Sequence, residues 1–145
     1  MERFLKAQEY VYDNALTEIK NGRKDSHWMW YIFPQLKGLG LSQMSLKYGI
    51  LNLNEAKEYI NHPILGPRLI EISKAVLDSK VATANELFGY VDAMKLKSSM
   101  YLFSIAAPNI SVFQDVLNKY FNGEIDELTR RLLSAAIDDV DEDKY

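Results

Sequence analysis

Ser26-His27-Trp28-Met29-Trp30-Tyr31-Ile32-Phe33-Pro34-Gln35 carries both tryptophans of the chain and one of its two histidines. Serine is a good helix N-cap, and the residue before a proline avoids helical backbone, so the stretch predicts a helix from Ser26 that stops before Pro34. Wound as a helix, it puts His27, Trp30 and Tyr31 on one face, Trp28 and Ile32 on a second, and Met29 and Phe33 on a third. A helix apolar on every side is normally buried on every side. The reading is therefore a central core helix, with Trp28, Met29, Ile32 and Phe33 inward and a polar margin at His27 and Gln35.

The chain on either side reads as further helices. Upstream, Phe4, Leu5, Gln8, Val11, Tyr12, Ala15, Leu16 and Ile19 keep a rhythm of three and four, which predicts one long amphipathic helix ended by Asn21-Gly22. Downstream, Gln35–Gly40 reads as a loop. Ser42 then caps a short helix to Tyr48 or Gly49, and Asn54 caps Glu55–Asn61. His62-Pro63 opens a longer helix carrying Leu65, Leu69, Ile72, Val76 and Leu77; either Pro67 lies within its first turn or the helix starts only there. Thr83 caps Ala84–Phe88, Asp92 caps Ala93–Ala106, Ser111 caps Val112–Phe121, and Asp126 starts a helix to about Ile137. No strand run competes, so the expected class is all-α: a compact orthogonal or layered array of about eight or nine helices in one domain, 1–137, followed by a frayed acidic tail, 138–145.

Composition narrows the setting. A chain of 145 residues with 48% apolar and 26% charged side chains can bury a real core without metals or disulfides. It has no cysteine, which removes disulfides, thiolate metal sites and cysteine nucleophiles together. No apolar signal core follows Met1, and no stretch approaches the roughly 20 apolar residues that span a bilayer, so a soluble cytoplasmic protein is expected. Net charge is −3; the tail Asp138–Tyr145 carries −4, which leaves a body near neutral and makes nucleic acid an unexpected partner. A monomer or weak dimer is expected.

The aromatic stretch resembles the hallmark of a bacterial family, domain-of-unknown-function family 1810, whose members are sometimes labelled calpastatin. The resemblance continues through Glu55-Ala56, His62-Pro63-Ile64-Leu65-Gly66-Pro67-Arg68-Leu69, Leu87-Phe88-Gly89 and Lys95-Leu96-Lys97-Ser98-Ser99-Met100-Tyr101-Leu102-Phe103. It ends with Phe113, Phe121-Asn122-Gly123 and Asp126, so it spans nearly the whole chain in order. It implies a small, mainly helical fold and brings no activity, cofactor, partner or site residue.

The candidates for chemistry are few. His27 and His62 are far apart and lack the helical spacing of a metal site, so no metal or cofactor is implied. Lys95, Ser98 and Ser99 share a helix face, but the Ser-x-x-Lys order of serine acyl enzymes is reversed here. Gly38-Leu39-Gly40-Leu41-Ser42 leads into a helix and can hold an anion through backbone N–H groups, though without a preceding strand it reads first as a glycine-rich turn. Lys37, Arg68 and Lys95 can add positive charge, Arg68 by clamping a phosphate or carboxylate in two-pronged fashion. Lys20, Arg23 and Lys24 form a small basic patch beside the aromatics, too small to suggest single-strand binding.

The leading expectation is a small-molecule binding domain, its ligand anionic or phosphorylated. Its aromatic-walled cleft would be lined by His27, Trp30 and Gln35, with Arg68, Lys95, Ser98 and Ser99 as polar walls. The alternatives are a protein-interaction module without a ligand pocket, and an enzyme acting on a nucleotide or phosphorylated metabolite.

Overall fold

A computed structural model describes residues 1–142, with side chains through residue 135. Along them run ten helices: α1 (Glu2–Gln8), α2 (Tyr12–Lys20), α3 (Met29–Ile32), α4 (Gln43–Tyr48), α5 (Leu53–Asn61), α6 (Leu65–Leu77), α7 (Ala84–Phe88), α8 (Tyr90–Ala106), α9 (Val112–Phe121) and α10 (Glu127–Glu142). Among these residues there is no strand, and the all-α class holds. The expectation of a frayed acidic tail falls on residues outside the described side chains, and 143–145 lie outside the description altogether.

Many helix starts follow side-chain chemistry readable in advance. Ser42 accepts the Ser45 N–H and Thr83 accepts the Glu86 N–H, each satisfying a donor that the helix itself leaves free. His62 does the same for α6: its Nδ1 accepts from the N–H groups of Ile64 and Leu65. Pro67, third residue of α6, needs no N–H partner there. Gly89 (φ 80°) closes α7, and Asn122 (φ 55°) closes α9 in the left-handed conformation.

α10 runs past its expected end near Ile137, and before it four expected boundaries differ. The predicted long first helix is two, α1 and α2, joined by a turn in which the Val11 N–H donates to Gln8 O. The break turns Gln8 inward, where its Nε2 donates to Tyr31 O and Tyr59 Oη while Arg68 donates to its Oε1. A rhythm of three and four survives such a turn, which is why it hides the break. Asn52 rather than Asn54 caps α5. α8 starts at Tyr90, directly after Gly89, so Asp92 lies inside its first turn and is free to form ion pairs.

The fourth difference is the aromatic stretch itself, which makes one helical turn, not two. Glu18 explains it: its Oε1 accepts the N–H groups of Asp25 and Ser26 and the Trp28 indole N–H. With those backbone donors taken by a neighbouring helix, the chain bends at Ser26-His27 and winds only from Met29. Trp28, Met29, Ile32 and Phe33 are nevertheless buried, as the sequence leads one to expect.

Past Met94, α8 runs through the core. Leu96, Met100, Leu102 and Phe103 are all fully enclosed, and α8 packs against α5, α7, α9 and α10. α6 packs against α2, α5 and α9, completing the core. Aromatic rings link these layers edge to face or tilted: Phe4 to Tyr59, Tyr59 to Phe103, and Phe103 to Phe113, with centroids 5.0–5.8 Å apart. α3 and the loop after it lie at the edge of this core, pinned where Lys37 N–H donates to Ile50 O and Ile50 N–H donates to Gln35 O.

Candidate functional site

Trp30 comes to the surface because α3 is a single turn. Its neighbours Met29 and Ile32 face the core, so the ring at 30 is left half-buried at the molecule's edge. The first turns of α8 supply what meets it. Lys95 sets its Nζ 4.5 Å from the centroid of the Trp30 ring, a cation–π contact.

Lys95 is tethered from the other side by Asp92, one turn earlier, with Nζ 3.4 Å from Oδ1. Asp92 also pairs with Lys24, Nζ to Oδ2 at 2.8 Å. Lys24 is enclosed, its side chain only 6% exposed, and its ammonium lies 4.9 Å from the Trp28 ring centroid. A carboxylate thus bridges two lysines, each over a tryptophan. The excess positive charge of that trio is one unit.

Two hollows flank this arrangement. The first, about 240 Å³, lies between Lys24, His27, Trp30, Tyr31, Asp92 and Lys95. Burial, and then the neighbouring Tyr48, push the Tyr31 phenol up, so it stays protonated at neutral pH. The second, about 260 Å³, has Trp30 and Lys95 again as one wall and Gln35, Ser98 and Asp126 as its polar groups, with an apolar remainder including Leu39 and Met94. Gln35 is 3% exposed, and its Nε2 has no hydrogen-bond partner in the protein. A buried unpaired donor costs about 1–3 kcal/mol, so its occurrence beside a cavity wants a reason. A third, larger and open groove lies away from these, between the C-terminal ends of α2 and α6.

The expected site residues divide. His27, Trp30, Gln35, Lys95 and Ser98 meet around the two hollows. Arg68 and Ser99 do not. Arg68 lies on α6 against Gln8 and over the Tyr12 ring, where Tyr12 hydrogen-bonds Glu71 and the Arg68 carbonyl. Ser99 points into the core, 0% exposed, because one residue along a helix turns the side chain by about 100° away from the Ser98 face. The Gly38–Gly40 turn contributes the apolar Leu39 and a close approach to the Trp30 edge. His62 serves as a helix cap.

Two residues beside the hollows carry little mark in the sequence: Lys24 stands there as part of a basic patch, and Asp92 as a helix cap. A signal existed for Asp92: it stands three residues before Lys95, the spacing of a helical ion pair. Nothing local marks Lys24, whose enclosure depends on α7 and α8 meeting the loop after α2; its backbone N–H donates to Leu87 O.

Among the described residues, no three His, Cys, Asp or Glu side chains gather as a metal site, and no helix is long and apolar enough to cross a membrane.

Fold and site together define a class: a small all-α domain with a tryptophan-and-lysine cleft at the edge of its core. The chain belongs to the family described as "Protein of unknown function (DUF1810)", which matches residues 1–133. It is similar in structure to the conserved hypothetical protein Rv1873 from Mycobacterium tuberculosis, at 44% identity and a TM-score of 0.90, over 92% of this chain and 95% of that one. No curated protein matches it.

Proposed function

We propose that this domain binds a small anionic compound, of the phosphate or carboxylate kind, in the cleft around Trp30. The observation that carries the reading is the placement of Lys95 over Trp30, with Lys24 and Asp92 behind it. A flat aromatic wall beside a net positive trio offers stacking and charge at one place. Gln35, Ser98 and His27 supply the polar groups that fix orientation in an otherwise apolar pocket.

Thermal unfolding in the presence of a metabolite panel and of inorganic phosphate tests it. A true ligand at about 100 times its Kd stabilises the folded state by roughly 2.7 kcal/mol, an easily read shift in Tm. The shift is expected for anionic compounds and is expected to fall in Lys95→Met, which keeps the stem and removes the charge. A panel that shifts nothing, or that shifts Lys95→Met equally, overturns the reading.

A second reading has one observation in its favour. Tyr90, Val91, Met94, Ile125 and Leu128 are exposed apolar side chains at the start of α8 and around the start of α10, and three of them line the second hollow. Under this reading they dock a protein. Tyr90→Asp, at an exposed position outside both hollows, would then abolish partner capture while leaving small-molecule stabilisation intact.

A further inference from the structure

The two hollows share a wall. Both are walled by Trp30 and by Lys95, and nothing else is shared between their linings. Taken singly they are about 240 and 260 Å³. Each falls short of the roughly 300 Å³ at which sites for small organic ligands begin, and only as one space do they enter that range. Lys95 is held in place by two weak contacts, the Trp30 face and an ion pair at 3.4 Å, and is itself a quarter exposed.

The hollows also differ in chemistry. The first holds Lys24 and His27 with Lys95, against one carboxylate, Asp92. The second has Asp126, whose charge offsets that of Lys95, an apolar remainder, and Gln35 in its wall, a side chain whose Nε2 is buried without a partner in the protein. An anion is therefore favoured in the first, and an uncharged, largely apolar group that carries a hydrogen-bond acceptor is favoured in the second. Trp30, common to both, supplies the flat face along which a planar group can lie.

We infer that the two hollows are halves of one site whose partition is Lys95, and that the ligand is a two-part molecule of the nucleoside monophosphate type. Its ring lies against Trp30 in the second hollow and accepts the Gln35 N–H through a ring carbonyl. Its phosphate sits in the first hollow beside Lys24 and His27, with the Lys95 ammonium drawn off the ring onto the phosphate. This rests on the proposed cleft and names the class of compound for it.

Titration calorimetry with four probes tests it: uridine 5′-monophosphate and guanosine 5′-monophosphate, which carry both parts, uridine, which lacks the phosphate, and ribose 5-phosphate, which lacks the ring. At least one of the two nucleotides should bind about tenfold or more tightly than either one-part probe, the gain of one well-placed hydrogen bond plus stacking. In Gln35→Leu, and in Gln35→Met as a second shape-conserving variant, that nucleotide should fall to the affinity of ribose 5-phosphate on the same variant. If ribose 5-phosphate binds and neither nucleotide binds better, the two-part site is wrong while the anion cleft stands. If the Gln35 variants keep the full advantage of the nucleotide, the assignment of the ring to the second hollow is wrong. If no phosphate-bearing probe binds, both this inference and a phosphate-binding cleft fall.

Discussion

The Glu18 carboxylate accepts the indole N–H of Trp28 at 3.1 Å, and the same oxygen holds the backbone N–H groups of Asp25 and Ser26 at 2.6 and 2.8 Å. One enclosed acid on α2 thereby sets where the aromatic stretch bends and which tryptophan goes inward. Burial pushes this carboxyl up, but the hydrogen bonds from Ser26, Asp25 and Trp28 outweigh it and bring the pKa from 4.5 down to about 2.

A group whose pKa is lowered on folding contributes stability above its unfolded value and loses it as pH falls through the folded one. The Glu18 contribution is thus whole above pH 4.5 and fades toward pH 2. Glu18→Gln should cost about 1–3 kcal/mol at neutral pH, since buried donors lose a charged acceptor. Its stability should also depend less steeply on pH in the acid window than that of the native chain. Urea unfolding of both chains at a series of pH values reads this out; parallel profiles would remove Glu18 from the acid response.

Trp30 is the half-buried tryptophan and Trp28 the enclosed one, and there is no third. A ligand in the cleft should therefore change the fluorescence of Trp30 more than that of Trp28, whose enclosed ring lies under Lys24 at the back of the first hollow. Most of the change should vanish in Trp30→Phe while the remaining emission stays blue-shifted, as befits the enclosed Trp28. An undiminished ligand-induced change in Trp30→Phe would move the site elsewhere.

Arg68 and Ser99 should be silent toward ligands. Arg68→Met is expected to leave any cleft-ligand affinity unchanged and to cost about 1 kcal/mol through its lost bond to the Gln8 side chain. Ser99→Ala should be neutral or stabilising by up to about 1 kcal/mol, because the Ser99 hydroxyl is buried without a partner and alanine favours the helix. Thermal melts and ligand titrations of the two variants check both statements.

Gly66→Ala should be among the most damaging single substitutions. A Cβ at that position would stand 2.1 Å from the Ile60 carbonyl oxygen, which is backbone of the preceding helix and has nowhere to go. We expect a loss of about 3 kcal/mol or more, near the upper end of overpacking effects, or failure to accumulate folded protein. A Gly66→Ala chain with native Tm would show that α5 and α6 can separate freely.

Much of the fold was legible because it is written locally. The caps at Ser42 and Thr83, the proline at Pro67 and the left-handed stop at Asn122 act within a few residues of themselves. What escaped was set at a distance. The break after Gln8 answers to Tyr59 and Arg68, about fifty and sixty residues on, and the short α3 answers to Glu18. The site follows the same division. His27, Trp30 and Gln35 stand out by residue type, whereas Lys24 and Asp92 acquire meaning only once α8 lies beside the aromatic turn. Ser98 and Ser99 show the limit of reading by segment: adjacent in sequence, one lines the cleft and the other is sealed in the core.

The relay of rings from Phe4 through Tyr59 and Phe103 to Phe113 bears on how the molecule is made. Its members are spread across most of the chain, so a growing polypeptide cannot close its core until residue 113 has left the ribosome. Before then, the earlier aromatics have only one another or the surrounding solvent. Synthesis of this domain is therefore an all-or-none affair: a chain interrupted before α9 is a sticky fragment rather than a smaller working protein, and cellular holdases have most to do in that interval.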